Sequence, residues 1–383
     1  LNNAELLDPS DLGIYLLRAD ILVINNQHKK AVEVIEAAME LAEGDEKEDL
    51  YLELSDIYED WDRYDKVFDC LKKCLLLNGD NEEALSRMWY TVELSKKFEE
   101  SLHLHQKLID RNPYSYMAWH NLGHAYFDLG LYEKAIDAYQ YAIAIDEKFD
   151  YAYRNMGDAF LRIRKYREAI EALEKVLELS RPEDVIYEAI GHCYHRMKNF
   201  AQARFHYKKA AHLNPDDSRL YQKIAGTYMQ EEQWELAIKQ LEHALRIHKH
   251  INEYYILMGE CYLNLLQFKE AAQFFGTVVK NKPKQIVGWE YLIKCLVANE
   301  QLDTALEQTE LAYISTQGKV IFIFYRSAIL FMMGKSAEGL LQLEMALSKS
   351  SKQLKKFTKF YPEIVHDPKV AELIAQFKKG KKS

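Results

Sequence analysis

Residues 116–149 read YMAWHNLGHAYFDLGLYEKAIDAYQYAIAIDEKF. Trp119, Leu122 and Tyr126 mark one helix-length run, with Ala135, Tyr139 and Ala142 marking a second. Apolar residues at three- and four-residue spacing put one face of each run against the other. The same pattern continues in both directions. Gly123, Gly157, Gly191 and Gly259 are 34, 34 and 68 residues apart, and Ala135, Ala169, Ala203, Ala237, Ala271 and Ala305 recur every 34. Pro113, Pro215 and Pro283 keep the same register. Three residue types in one register establish an internal repeat.

With Tyr116 at position 1, the units are 116–149, 150–183, 184–217, 218–251, 252–285 and 286–319. Backwards they are 82–115 and 48–81, then 12–45 after a two-residue slip; forwards there is a weaker 320–353, ten units in all. Position 8 is Gly or small in most units, position 20 is almost always Ala and position 27 is usually small. Small residues there let the two helices of a pair approach closely, while large residues at positions 4, 7, 11 and 24 fill the space around them. Proline at position 32 ends the second helix, because it lacks an amide donor and clashes with the preceding turn.

The residues Trp119, Leu122, Gly123, Tyr126, Ala135, Tyr139 and Ala142, and again Tyr187, Gly191, Tyr194, Ala203, Tyr207, Ala210 and Pro215, resemble the tetratricopeptide repeat (TPR) signature. The resemblance covers about residues 12–353. It departs from the pattern at Trp89, where a small residue belongs, at Gly339 in the usual Ala position, and at Arg326 and Ser327 in place of Leu-Gly. It implies an all-α, right-handed superhelical solenoid of antiparallel helix pairs, with the first helix of each pair lining a concave groove.

Both ends fall outside the period. Leu1, Ala4 and Pro9 fit positions 24, 27 and 32, so residues 1–11 are expected to be the end of a truncated earlier repeat, with more protein upstream. Residues 354–383 are expected to form a cap and a basic tail. Asp367-Pro368 resembles a helix start, followed by Val370, Leu373, Ile374 and Phe377. An array end needs such a cover. The first helix of the last unit is apolar nearly all round, and Phe357, Phe360 and Tyr361 are the nearest candidates to cover it. Self-association through this face is the alternative.

Composition narrows the function. The net charge is −9, and few of the 383 residues are breakers (7 Pro, 15 Gly), which favours helices and opposes a protein that neutralises nucleic-acid phosphates. Residues 48–81 carry ten acids against four bases, whereas residues 349–383 carry ten lysines against three acids. RNA binding is therefore not expected, and Lys378, Lys379, Lys381 and Lys382 read as a solvated end. Five scattered cysteines form no disulfide framework, which implies a reducing compartment; a cytoplasmic location is expected, with a periplasmic or exported one left open. No apolar run reaches the roughly 18 residues of a membrane span. Val320 to Met333 is the longest, and Arg326 interrupts it.

No phosphate loop, zinc-protease motif or nucleophile elbow is present, so no enzyme activity and no cofactor are expected. Cys193, Cys261 and Cys295 share position 10 and read as small fillers; Cys70 and Cys74 are half a metal site at best, and no metal is expected. The resemblance directs positions 2, 5, 6, 9, 12 and 13 to the groove. These give an acidic zone (Asp20, Asp49, Glu53, Asp56, Glu59, Asp60), a mixed polar zone, and an apolar zone (Leu257, Tyr291, Phe324, Tyr325, Phe331, Met332). The mixed zone suits an extended peptide. Its candidate partner-binding residues are His120, Asn121, His124, Arg154, Asn155, Asp158, Arg162, His192, His195, Arg196, Arg219 and Lys223. Its closest fit to the carboxylate clamp of chaperone-binding relatives, Arg154, Asp158, Ala189, Arg219 and Lys223, lacks both asparagines, so chaperone tails are not expected. The expected function is a protein-interaction scaffold holding a peptide or partner segment. The alternative is the partner-selecting arm of a larger enzyme or of a secretion or assembly complex.

Overall fold

The computed structural model describes residues 11–379. Leu1, Ala4, Pro9, Lys381 and Lys382, and the side chains of Lys378 and Lys379, lie outside that description. The described residues form helices and turns, and they divide after Met197 into two compact units.

The first unit holds α1 (Leu12–Ile24), α2 (His28–Met39), α3 (Glu46–Asp60), α4 (Tyr64–Leu77), α5 (Glu82–Ser95), α6 (Phe98–Arg111), α7 (Tyr116–Asp128), α8 (Tyr132–Ile145), α9 (Asp150–Arg162), α10 (Tyr166–Leu179) and α11 (Asp184–Arg196). Starts are fixed locally: Asn81 and Ser115 accept from the amides of Ala84 and Ala118, satisfying orphan donors of the first turn. Within a pair the turn needs one left-handed residue, supplied by Gly130 but also by Asn26, Asp62, Lys96 and Arg164. Close packing follows the small positions. A Cβ on Gly123 would stand 2.6 Å from the Tyr139 ring, so glycine is what lets α8 lie against α7.

Trp89 has a visible consequence. Most pairs pack along their length, but α5 and α6 barely touch; they pack instead against their outer neighbours α4 and α7. Tryptophan at the close-approach position is too bulky for the usual contact, and it remains partly exposed. His105 of α6 is wholly buried, with Nδ1 2.8 Å from the Ser101 carbonyl oxygen.

The second unit holds α12 (Phe200–Leu213), α13 (Ser218–Gln230), α14 (Trp234–Ile247), α15 (Asn252–Asn264), α16 (Phe268–Asn281), α17 (Ile286–Ala298), α18 (Leu302–Ser315), α19 (Ile321–Met332), α20 (Ser336–Lys349), α21 (Leu354–Phe360) and α22 (Pro368–Lys379). Ten of the twelve residues of α19 are buried. The tail covers it: Phe357 is fully buried 5.5 Å from the Phe324 ring, and Phe360 lies 4.4 Å from Tyr325. Asp367 caps α22 by accepting from the amides of Lys369 and Val370, and Val370, Leu373, Ile374 and Phe377 join the same cluster. The sequence reading placed Phe324, Tyr325 and Phe331 on an open apolar groove. They are core instead, because the chain's own tail removes them from water.

All five cysteines are buried and free, and burial pushes each thiol up to about 12, so they are poor nucleophiles. Among the described residues, no group of three or more His, Cys, Asp or Glu side chains could hold a metal ion, and no helix is long and apolar enough to cross a membrane.

Candidate functional site

The mixed polar zone of the first unit is built on α5, α7, α9 and α11. Its floor is structural. His120 is buried, with Nε2 2.9 Å from the Asn155 amide nitrogen, and Asn121 donates 2.8 Å to the Leu85 carbonyl. Both residues join neighbouring helices and are closed to a ligand. Burial first, then the neighbouring His124, hold the His120 imidazole down at about 3. Arg154 forms a bidentate pair with Glu183, at 2.6 and 3.0 Å. Its fork is thereby occupied within the chain.

Above that floor lies a hollow of about 170 Å³. His124, Phe127 and Asp128 enter it from α7, Tyr139 from α8, Asn155 and Asp158 from α9, and Glu93 from α5. Several polar atoms here lack partners. Tyr139 is fully buried because its ring crosses beneath Gly123, and its hydroxyl has no hydrogen-bond partner among the described residues. His124 Nδ1 and Asp128 Oδ2 stand 3.2 Å apart but off the line of a hydrogen bond, so both keep unmet capacity. A buried group left unsatisfied costs about 1–3 kcal/mol. Three such atoms around one small hollow therefore point to water or a ligand group that satisfies them. Desolvation by the walls raises the Asp158 carboxyl above its usual value despite its exposed position, with Arg162 and Arg154 opposing the shift. Burial raises the Tyr139 phenol well above its own.

A second hollow, of about 530 Å³, adjoins the first and shares Phe127 and Asp158 with it. Its character is reversed. Arg162, Arg164 and Arg196 bring three guanidinium groups to it, beside His192, Leu161 and Tyr166. Arg162 lies 5.8 Å from the Phe127 ring centre, and Arg196 Nε donates 3.2 Å to the Tyr166 hydroxyl. An acid-lined hollow thus opens beside a base-lined one along the same helices.

Of the residues expected at the site, His124, Asn155, Asp158, Arg162, His192 and Arg196 line one or other hollow. His195 is half-buried on α11, its imidazole held down by desolvation and then by Arg196. Arg219 and Lys223 belong to α13 of the second unit, where Arg219 pairs with Asp217 at 2.8 Å. Asp128, at groove position 13, was read as part of the mixed zone though not among the candidate contacts; Glu93, Phe127, Tyr139, Leu161, Arg164 and Tyr166 were missed. Tyr139 reads in sequence as a core filler. No signal set it apart, since Tyr207 carries the same hydroxyl at the same position 24. In the acidic zone, Arg87 pairs with Asp56 and with Glu59 at 2.7 Å, which partly neutralises that region.

The fold and this surface define an all-α array of tandem helix pairs. Tetratricopeptide repeat profiles match residues 12–45, 48–81, 161–227 and 194–261, and a TPR repeat profile matches residues 123–163. The chain belongs to the tetratricopeptide repeat proteins, and as such is a protein-interaction scaffold. No curated protein sequence matches it. Among solved structures, the C-terminal part of a TPR repeat-containing protein from Cytophaga hutchinsonii is similar, with a TM-score of 0.53 and 15% identity over 66% of this chain and 97% of that one. YrrB, described as a TPR protein with an unusual peptide-binding site, gives 0.42 and 17% over 48% of this chain and 95% of its own. The Cut9–Hcn1 hetero-tetramer of the APC/C gives 0.40 and 15%; the match covers 80% of this chain and 60% of that one.

Proposed function

We propose that the first unit binds an extended peptide segment of a protein partner along the two adjoining hollows, and that it does so without catalysis. The observation that carries this reading is the pair of polar hollows sharing Phe127 and Asp158, one rich in carboxylates and the other in guanidinium groups. A rigid bed of helices is suited to this, because it presents side chains at fixed spacing and avoids an ordering cost on the scaffold side. Asn155 offers an amide to a peptide backbone, and Arg162 and Arg196 offer forks to carboxylates. His124, Asp158 and His192 complete the contact set.

The test is selection from a displayed peptide library with the full chain, followed by affinity measurement on the double variant Arg162→Glu, Arg196→Glu. Selected peptides should bind the variant at least about tenfold more weakly, the scale of one lost charge-assisted contact. Unchanged affinity would move the binding surface elsewhere on the chain.

A further inference from the structure

Resting on that reading, we propose that the smaller hollow receives a primary ammonium group, from a lysine side chain or from a free peptide amino terminus. Its acceptors are placed for one. Asp128 Oδ2 is buried with unmet capacity, and the Tyr139 hydroxyl is buried without a partner among the described residues. Asp158 and Glu93 stand at the mouth, making three carboxylates around about 170 Å³. An ammonium is a compact point charge with three donors, so it can meet two carboxylates and a phenol oxygen at once. Its carbon stem can lie along Phe127.

Other ligand chemistries fit less well. Three carboxylates oppose an anion. A guanidinium is planar and forked, and Arg162 already lies over the Phe127 ring. The described residues offer no metal-holding group. The hydroxyl of Tyr139 is not needed for packing, because Leu173 and Phe275 occupy the same place beneath Gly157 and Gly259. The Tyr139 hydroxyl and Asp128 Oδ2, both buried without a hydrogen-bond partner among the described residues and facing one hollow, are what tie it to a ligand.

Two arms test the proposal on the full chain. In the first, tyrosine-ring-labelled protein is titrated with n-butylammonium, with n-butanol as control, and the Tyr139 signal is assigned with the Tyr139→Phe variant. n-Butylammonium should shift that signal saturably and n-butanol should not, and Asp128→Asn should weaken the effect about tenfold. In the second, arrays of N-acetylated nonapeptides carry central lysine, acetyl-lysine or norleucine, beside lysine-free peptides with a free amino terminus. Preference for the N-acetylated peptides with unmodified central lysine over their acetyl-lysine and norleucine counterparts assigns the ammonium to a side chain; preference for the free-amine set assigns it to a terminus. Either preference should fall in both Tyr139→Phe and Asp158→Asn. Equal response to n-butylammonium and n-butanol overturns the proposal, as does array binding indifferent to both amines. A saturable n-butylammonium shift with no array binding supports the pocket and removes the peptide-groove reading instead.

Discussion

Two helix faces of this chain, both read from sequence as groove, meet opposite fates. On α19 the face is apolar, and Phe357 and Phe360 close it. On α7 and α9 the corresponding positions are polar, and the face remains open over a hollow with unsatisfied atoms. The difference follows from what burial costs each kind of surface. Covering apolar side chains is favourable at about 25 cal/mol per Å², so any nearby apolar tail will close them. Covering Asp128, Asp158 and Glu93 would leave charges without water or partners, which is strongly unfavourable. A polar hollow therefore stays available until a ligand arrives with matching groups, whereas an apolar one is filled by the chain itself.

The largest expected effect is on the closed face. Phe357→Ala removes a fully buried ring and should cost about 3–5 kcal/mol, read as a lower melting temperature and lost amide protection in α19 and α21. Peptide affinity at the first unit should be unchanged. A loss of protection confined to α21 would show that α19 is not stabilised by its cover.

The buried histidines of the first unit should respond instead to acid. Burial holds His105 at about 4 and His120 at about 3, below the ordinary value of about 6.5. The native state thus binds fewer protons than the unfolded one. This contribution to stability is complete above the unfolded value and is lost as pH falls through the window from about 6.5 towards 4 and 3. At pH 5 the cost should be about 2 kcal/mol for each histidine, from 1.36 kcal/mol per unit. Melting of the first unit compared at pH 7 and 5 tests this, and His105→Gln should remove about half of the drop. Acid sensitivity equal in the variant would place its origin elsewhere.

The smallest effect is at the hinge between floor and hollow. Gly123→Ala sets a methyl against the Tyr139 ring, and overpacking of that kind costs about 1–3 kcal/mol. It should displace the Tyr139 hydroxyl and weaken peptide binding together with stability. Reduced stability with binding intact would detach the hydroxyl from the site.

The period made most of the fold legible. Gly123, Ala135 and Pro113, each repeated in register, carry the close approach, the small face and the helix end, and local sterics and hydrogen bonding enforce all three. Trp89 was legible as a departure, but its consequence was not. Whether a large side chain separates a pair or rearranges its neighbours depends on contacts made by α4 and α7, which lie outside the repeat itself.

The candidate site was legible only by position. His124, Asn155, Asp158, Arg162, His192 and Arg196 were found because the period fixes which residues share a face. The same rule admitted His120, Asn121 and Arg154, because register does not say which polar side chains are already engaged by the next helix. It also missed Tyr139, because a residue of the second helix reaches this face only through the gap that glycine leaves. By itself, then, the sequence determined the repeat, the helices and their facing sides, since these rest on short-range geometry and apolar patterning. The tertiary structure alone decided which polar atoms were left unmet and which apolar face was closed, because both depend on packing between different helices, as of Asn121 on Leu85 and Phe324 on Phe357.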